Sequence, residues 1–274
     1  MTTAGERPAH LGERVPGQAV MEELLAGPGH LRPRTVLQRI FGASPLSPEG
    51  LPWYRGALGE IAVGRLLQRL GPEWLVLHAV PVGTGASDID HVLVGPAGVF
   101  TLNTKNHEGQ PVWVAGRTLM VAGQKTRHLY NSAHEASRAS KLLTTAAGFP
   151  VEVTGVVVVV GPKSLTIKAR PEQAAVVTDA QLLRWLHRCP DVLDQQEVAR
   201  ISAAAARPGT WHRRPAHPGD PAALQHTFTR LHQLENQARR RRAAWLLGIP
   251  AVGFMMLANG AGMGAALFQA LAGR

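Results

Sequence analysis

Five consecutive valines, Val156–Val160, complete the run Val153–Val160. A segment this apolar offers no polar side to solvent, so it reads as a strand buried on both faces and central in its sheet. The helix 131–143 precedes it, ahead of Gly148-Phe149-Pro150. Further upstream, 74–82, 89–94 and 99–104 read as three strands, with small strands at 112–114 and 118–121 around Gly116. Gly95-Pro96-Ala97-Gly98 joins the second and third as a hairpin, with Pro at the second turn position and Gly at the fourth. A helix over 52–70 precedes the meander, Pro52 in its first turn and Gly71-Pro72 ending it. After the valines come strands at 165–168 and 175–178 and helices at 179–188 and 191–206.

Composition separates this core from its flanks. Residues 1–50, rich in Pro, Gly and Ala, hold two short helical fragments (20–26 and 35–41) and read as mostly flexible. The single cysteine, Cys189, rules out an internal disulfide, and the polar opening contains no apolar signal segment. The net charge of +10 invites a nucleic-acid reading, yet residues 51–160 hold 9 basic against 7 acidic side chains and are close to neutral. Much of the excess is the run Arg239, Arg240, Arg241 and Arg242.

Those arginines precede 243–273, a stretch without charge and long enough for the roughly 20 apolar residues that cross a bilayer. The sequence therefore predicts a membrane, single-pass protein whose N-terminal domain is cytoplasmic, the four arginines being membrane-flanking. The alternative is a buried helix rich in Gly and Ala. Residues 207–221 read as a Pro-rich linker and 222–242 as a juxtamembrane amphipathic basic helix. Its stripe of Leu224, Phe228, Leu231 and Leu234 fits a dimer seam or a lipid surface. With Gly260 and Gly264 at GxxxG spacing, a homodimer through 222–264 is an expectation.

The hairpin carries the candidate chemistry. With a symmetric two-residue turn, facing residues have numbers that sum to 193, so Asp90 opposes Asn103. Strand alternation then gathers Asp88, Asp90, Asn103 and Lys105 on one patch. A type I turn with a glycine bulge shifts that register by one. Carboxylates to hold Mg²⁺ or Mn²⁺ and a lysine to polarise water are what metal-dependent phosphodiester cleavage needs, and Glu60 on the preceding helix adds a carboxylate. A cross-strand Asp88–Lys105 ion pair, with Asp90 satisfying loop backbone, is the structural alternative. Asn131, Ser132, His134 and Glu135 open the next helix, where His134 faces a phosphate or the group forms a solvated first turn. His91 points away from Asp90 by alternation.

Gly56-Ala57-Leu58-Gly59-Glu60, then Ser87-Asp88-Ile89-Asp90-His91, then Asn103-Thr104-Lys105-Asn106 form an ordered series over roughly 52–160. The series resembles the nuclease-related domain (NERD) family, which is placed with the PD-(D/E)XK nuclease-like fold. The resemblance implies an α/β fold with a restriction-endonuclease-like core of helix, three-stranded meander, helix and central strand, here followed by a C-terminal single transmembrane helix. It implies a domain over 51–206 with its motif core at 52–165. By resemblance Glu60, Asp90 and Lys105 are catalytic, and Asp90 and Glu60 surround metal with Asn103 at the acidic position; Asp88, on the facing strand, is expected to supply the charge that Asn103 lacks, and Asn106, Asn131 and His134 are expected to meet nucleic acid. Asn103 departs from the pattern, which has Asp or Glu there. The expected function is a membrane-tethered, Mg-dependent nuclease acting on DNA or RNA. The alternative is a degenerate nuclease fold that binds nucleic acid or protein without cutting.

Overall fold

The turn at Pro96-Ala97 pairs Gly95 with Gly98, Val94 with Val99 and His91 with Leu102, the symmetric register, so no glycine bulge shifts the pairing. The computed structural model describes residues 11–84, 87–212 and 220–272, and for 249–272 the helical backbone alone. A 3-10 turn (Leu11–Glu13) precedes helices α1 (Gln18–Ala26), α2 (Val36–Ile40) and α3 (Gly50–Leu67). Strands β1 (Leu75–Pro81), β2 (Asp88–Gly95), β3 (Gly98–Asn106), β4 (Pro111–Ala115), β5 (Thr118–Val121) and β6 (Gln124–Thr126) follow, and then α4 (His128–Ala147). The chain continues through β7 (Val153–Val160), β8 (Ser164–Ala169), β9 (Ala175–Thr178), α5 (Asp179–Leu186), α6 (Gln195–Ala205), α7 (Pro208–Trp211) and α8 (Pro221–Ala272).

Five strands form one mixed sheet in the order β1-β2-β3-β7-β9, antiparallel through β3 and parallel beyond it. The valine strand β7 is interior, as its sequence requires, and its residues alternate between two cores. Val156 and Val158 meet Val63 and Leu67 of α3 and Leu182 and Leu186 of α5. Val157 and Val159 meet Val112, Val114 and Leu119 of the second sheet, ordered β6-β5-β4-β8. Each such valine contributes about 1.5–3 kcal/mol over its exposed state on either face, which holds the strand in the sheet interior. A third cluster packs Ala139 and Leu143 of α4, Ile201 and Ala205 of α6 and Trp211 of α7 on Val92, Val94 and Val99.

Within residues 1–50, read from sequence as mostly flexible with helical fragments at 20–26 and 35–41, α1 and α2 stand at those fragments, and the 3-10 turn and α1 bury Leu11, Met21 and Leu24. The segment expected to be a linker contains α7, with Trp211 buried and its indole N–H donated to Ala205 O at 2.7 Å.

The chain divides into two compact units, residues up to 27 with 52–225, and 28–51 with 226–274. In the second unit the membrane expectation is corrected. Among the described residues no helix is long and apolar enough to cross a membrane. The part of α8 with described side chains carries Arg230, Glu235 and the arginine run, leaving only 243–248 uncharged before residue 249. That is far short of the roughly 20 residues a bilayer needs; the rest of the expected span, with Gly260 and Gly264, lies outside the residues whose side chains are described. Three of the four arginines expected to flank a membrane have partners within this unit. Arg241 donates to Arg39 O at 2.7 Å, Arg242 pairs with Glu235 at 3.1 Å and Arg239 donates to Asn236 at 2.7 Å. Phe228 and Leu231 of the apolar stripe are buried, and Trp245 packs on Phe41 and donates to Ile40 O at 3.0 Å. The single-pass localisation has no support in this helix.

Candidate active site

Gly59 sets the approach of α3 to β3. A Cβ there would stand 3.2 Å from Asn106 Cβ and 3.4 Å from Thr104 Cγ2, so only glycine permits this spacing without a shift. The close approach buries the next residue, Glu60, at 4% exposure, and leaves its Oε2 without a hydrogen-bond partner. Burial drives the Glu60 carboxyl well above the ordinary range, and Asp90 and Asp88 push it the same way while Lys105 opposes them.

Strands β2 and β3 supply the centre. Thr104 N–H donates to Asp90 Oδ2 at 2.6 Å and fixes that carboxylate. Burial raises the Asp90 carboxyl, held back by Lys105 and the Thr104 N–H. Asp88 lies two residues earlier, at the end of the β1 pairing opposite Pro81, and its Oδ2 is buried without a partner. Burial and then Asp90 lift it to about 7, against the pull of Arg14. Arg14 is held by its donation to Ala79 O at 2.6 Å. Nothing in the N-terminal sequence marked it as a neighbour of this site.

Asn103 is 5% exposed and works through α4. Its Nδ2 donates to both oxygens of Glu135, at 2.7 and 2.9 Å, and its Oδ1 is buried with no partner. Where the sequence pattern calls for a strand acid, an amide clamps an acid from the facing helix. Burial raises Glu135 to about 7, with the Asn103 hydrogen bonds acting against it. Glu135 was read as a member of a solvated first turn, and it is instead part of the cluster. The missing acid at Asn103 was the signal, since a buried amide beside Asp90 needs an acceptor.

A cleft of about 310 Å³ opens on the cluster, lined by Asp88, Glu135, Asn131, His134, Tyr130 and Arg138. Asn131 and His134 thus stand at the cleft, on the exposed face of α4. Tyr130, 52% exposed, lies near-parallel to His134 with Arg127 above its ring at 4.8 Å. Asn106 is engaged elsewhere, donating to Arg55 O at 2.9 Å and accepting from Glu108 N–H at 3.3 Å. His107 and His128 bring their Nε2 atoms to 3.1 Å. Burial and Lys105 lower both, His128 to about 4, a pairing that sequence reading missed. His91 points to the other side, as alternation required, and meets His78 with 2.8 Å between their Nδ1 atoms.

The donors suit a hard cation: carboxylates, an amide oxygen, and three buried oxygens without partners at Glu60, Asp88 and Asn103. Among the described residues no three His, Cys, Asp or Glu are gathered as a metal cage. A cation at this cluster would therefore be held by at most two of these carboxylates and by water.

Residues 55–160 match the family described as nuclease-related domain. A 70-residue stretch is 41% identical to an uncharacterized protein of Bacillus anthracis, covering 24% of this chain. The chain spans about a third of that relative's length, 32%. No solved structure matches the chain.

Proposed function

From the premise that residues 55–160 are a nuclease-related domain, we propose that the Asp90–Lys105 cluster hydrolyses phosphodiester bonds of nucleic acid with Mg²⁺ or Mn²⁺ as cofactor. The observation that carries this reading is the set of unpartnered buried oxygens on Glu60, Asp88 and Asn103 around an anchored Asp90, beside Lys105. Buried acceptors left without donors cost stability in a merely structural core, and a cation relieves that cost.

Asp90, oriented by the Thr104 N–H, and Glu60 are the residues that would hold the ion, and Asn103 Oδ1 and Asp88 would offer further oxygens to it or to its waters. When bound, the ion supplies the charge that draws electron density from a phosphoryl oxygen. Lys105 balances negative charge developing on the phosphate. Glu135, raised to about 7 and oriented by Asn103, takes the proton from the attacking water; a base with this pKa is half-ionised at neutral pH and so matched to the task. Asn131 and His134 line the path of the phosphate chain.

The test is cleavage of plasmid and single-stranded substrates with Mg²⁺ or Mn²⁺ by the full chain and by Asp90→Ala and Lys105→Ala proteins. Cleavage by the parent, reduced by about 10²–10⁴-fold in both variants, is expected. A second reading, binding without cutting, is favoured by Asn103 alone. Its signature is an inactive parent that gains cleavage on Asn103→Asp. On the reading adopted here Asn103→Asp lowers cleavage, because it removes the donor that holds Glu135.

A further inference from the structure

We infer that a second cavity, beyond Arg138, takes a nucleotide flanking the scissile phosphate, so that the substrate is single-stranded or has a frayed end. The inference rests on the nuclease reading of the first cleft. The cavity measures about 520 Å³, within the range of about 300–1,000 Å³ typical of ligand pockets. Its lining joins Leu142 and Ala146 of α4 and Trp211 of α7 to two guanidinium groups, Arg138 and Arg207.

Arg138 lines both cavities. Its guanidinium lies beside Gly83, where φ is +87° and a Cβ would meet Arg138 Nη2, so glycine there leaves the guanidinium room between the two cavities. Among the described residues neither Arg138 nor Arg207 has a carboxylate partner; the described ion pair is Arg242–Glu235. Two guanidinium groups without counter-ions on one cavity call for a doubly accepting anion, and the planar fork of arginine suits a phosphate. The apolar floor of Leu142, Ala146 and Trp211 suits a base or sugar. A strand whose phosphate reaches Glu135 and Asp88 in the first cleft continues past Arg138 into this cavity. A cavity of this volume matches one ligand-sized group, so a base still paired to a second strand exceeds it.

The test measures binding of labelled oligothymidylate and of a blunt duplex of equal length to the full chain by fluorescence anisotropy, over a salt series with Ca²⁺ in place of Mg²⁺. Arg207 touches nothing in the carboxylate cluster, so Arg207→Ala leaves that cluster intact, and Thr145→Trp fills the cavity without changing its charge. Single-strand affinity is expected to fall about tenfold in each variant. The salt slope is expected to drop by about 0.7 for Arg207→Ala, the share of one phosphate contact on a single strand, while duplex binding is unchanged. Parent-like single-strand binding in both variants overturns the inference and leaves the nuclease reading intact if the parent cuts. Loss of binding in both variants, in a parent that binds but does not cut, upholds the cavity and overturns the nuclease reading.

Discussion

Asp90 and His91 are neighbours on β2, yet the two faces of that strand respond to burial in opposite ways. On one face a carboxylate cluster is desolvated, with Asp88 and Glu135 raised to about 7. On the other, His78 and His91 share a 2.8 Å contact, and burial lowers both, His78 to about 4. An imidazole relieves burial by being neutral, which at neutral pH needs little change. A carboxyl must take up a proton or find a cation. The histidine face is therefore settled near pH 7, while on the carboxylate face Asp88 and Glu135, raised to about 7, respond to any ion or proton offered. The same physical cause leaves a neutral imidazole pair on one side and raised carboxyl groups on the other.

The largest effect that tests this contrast is on chemistry. Glu135→Gln keeps the shape of the side chain and removes the proton acceptor, and is expected to reduce cleavage by about 10²–10³-fold with little change in KM. His91→Gln, on the opposite face, is expected to leave kcat within about threefold while lowering Tm. Equal losses of kcat in both variants would dissolve the distinction between the faces.

The next effect is on stability against pH, and the two faces pull in opposite directions. Asp88, at about 7 when folded and near 3.8 otherwise, binds protons in the folded state that the unfolded chain has lost. Its stabilising contribution is full below pH 3.8 and is lost as pH rises through 7. His78, about 4 when folded against 6.5, makes the unfolded chain the better proton binder between those values, so its contribution is lost as pH falls from 6.5 to 4. Asp88→Asn is expected to raise stability by on the order of 1–2 kcal/mol at pH 8 and by little at pH 4. The same change should steepen the rise of stability with pH from 4 to 6.5, now less opposed. Denaturant midpoints across pH 4–8 check this, and an equal gain at both ends would remove Asp88 from the titrating group.

Much of this arrangement was legible in the sequence because it is local. Gly95-Pro96-Ala97-Gly98 left two registers for β2–β3, and with the symmetric one that the strands adopt, Asp88, Asp90, Asn103 and Lys105 share a face by alternation. The valine run announced an interior strand, and Glu60 was found through the Gly-x-x-Gly-Glu spacing whose steric reason is the contact at Gly59. The illegible parts depend on long-range packing. Glu135 looks like a solvated helix start until Asn103 is placed opposite it, and Arg14 reaches Asp88 across more than seventy residues. The C-terminal helix misled for the same reason. Arginines before an uncharged stretch fit a membrane flank, whereas Arg241 and Arg242 satisfy Arg39 O and Glu235. The β3–β7 and β4–β8 parallel pairings likewise join segments with no local signal for each other.

The central claim is that the carboxylate face of β2 is built to take a cation. Its most direct test is Mg²⁺ titration calorimetry at pH 8 on the full chain, with Asp90→Asn and Glu60→Gln alongside. The account predicts a binding isotherm and a Tm raised by Mg²⁺ in the parent, with both effects lost in Asp90→Asn and weakened in Glu60→Gln. A parent that neither binds Mg²⁺ nor gains stability from it, while Asp90→Asn is simply more stable, would contradict the account and leave the cluster a costly structural core.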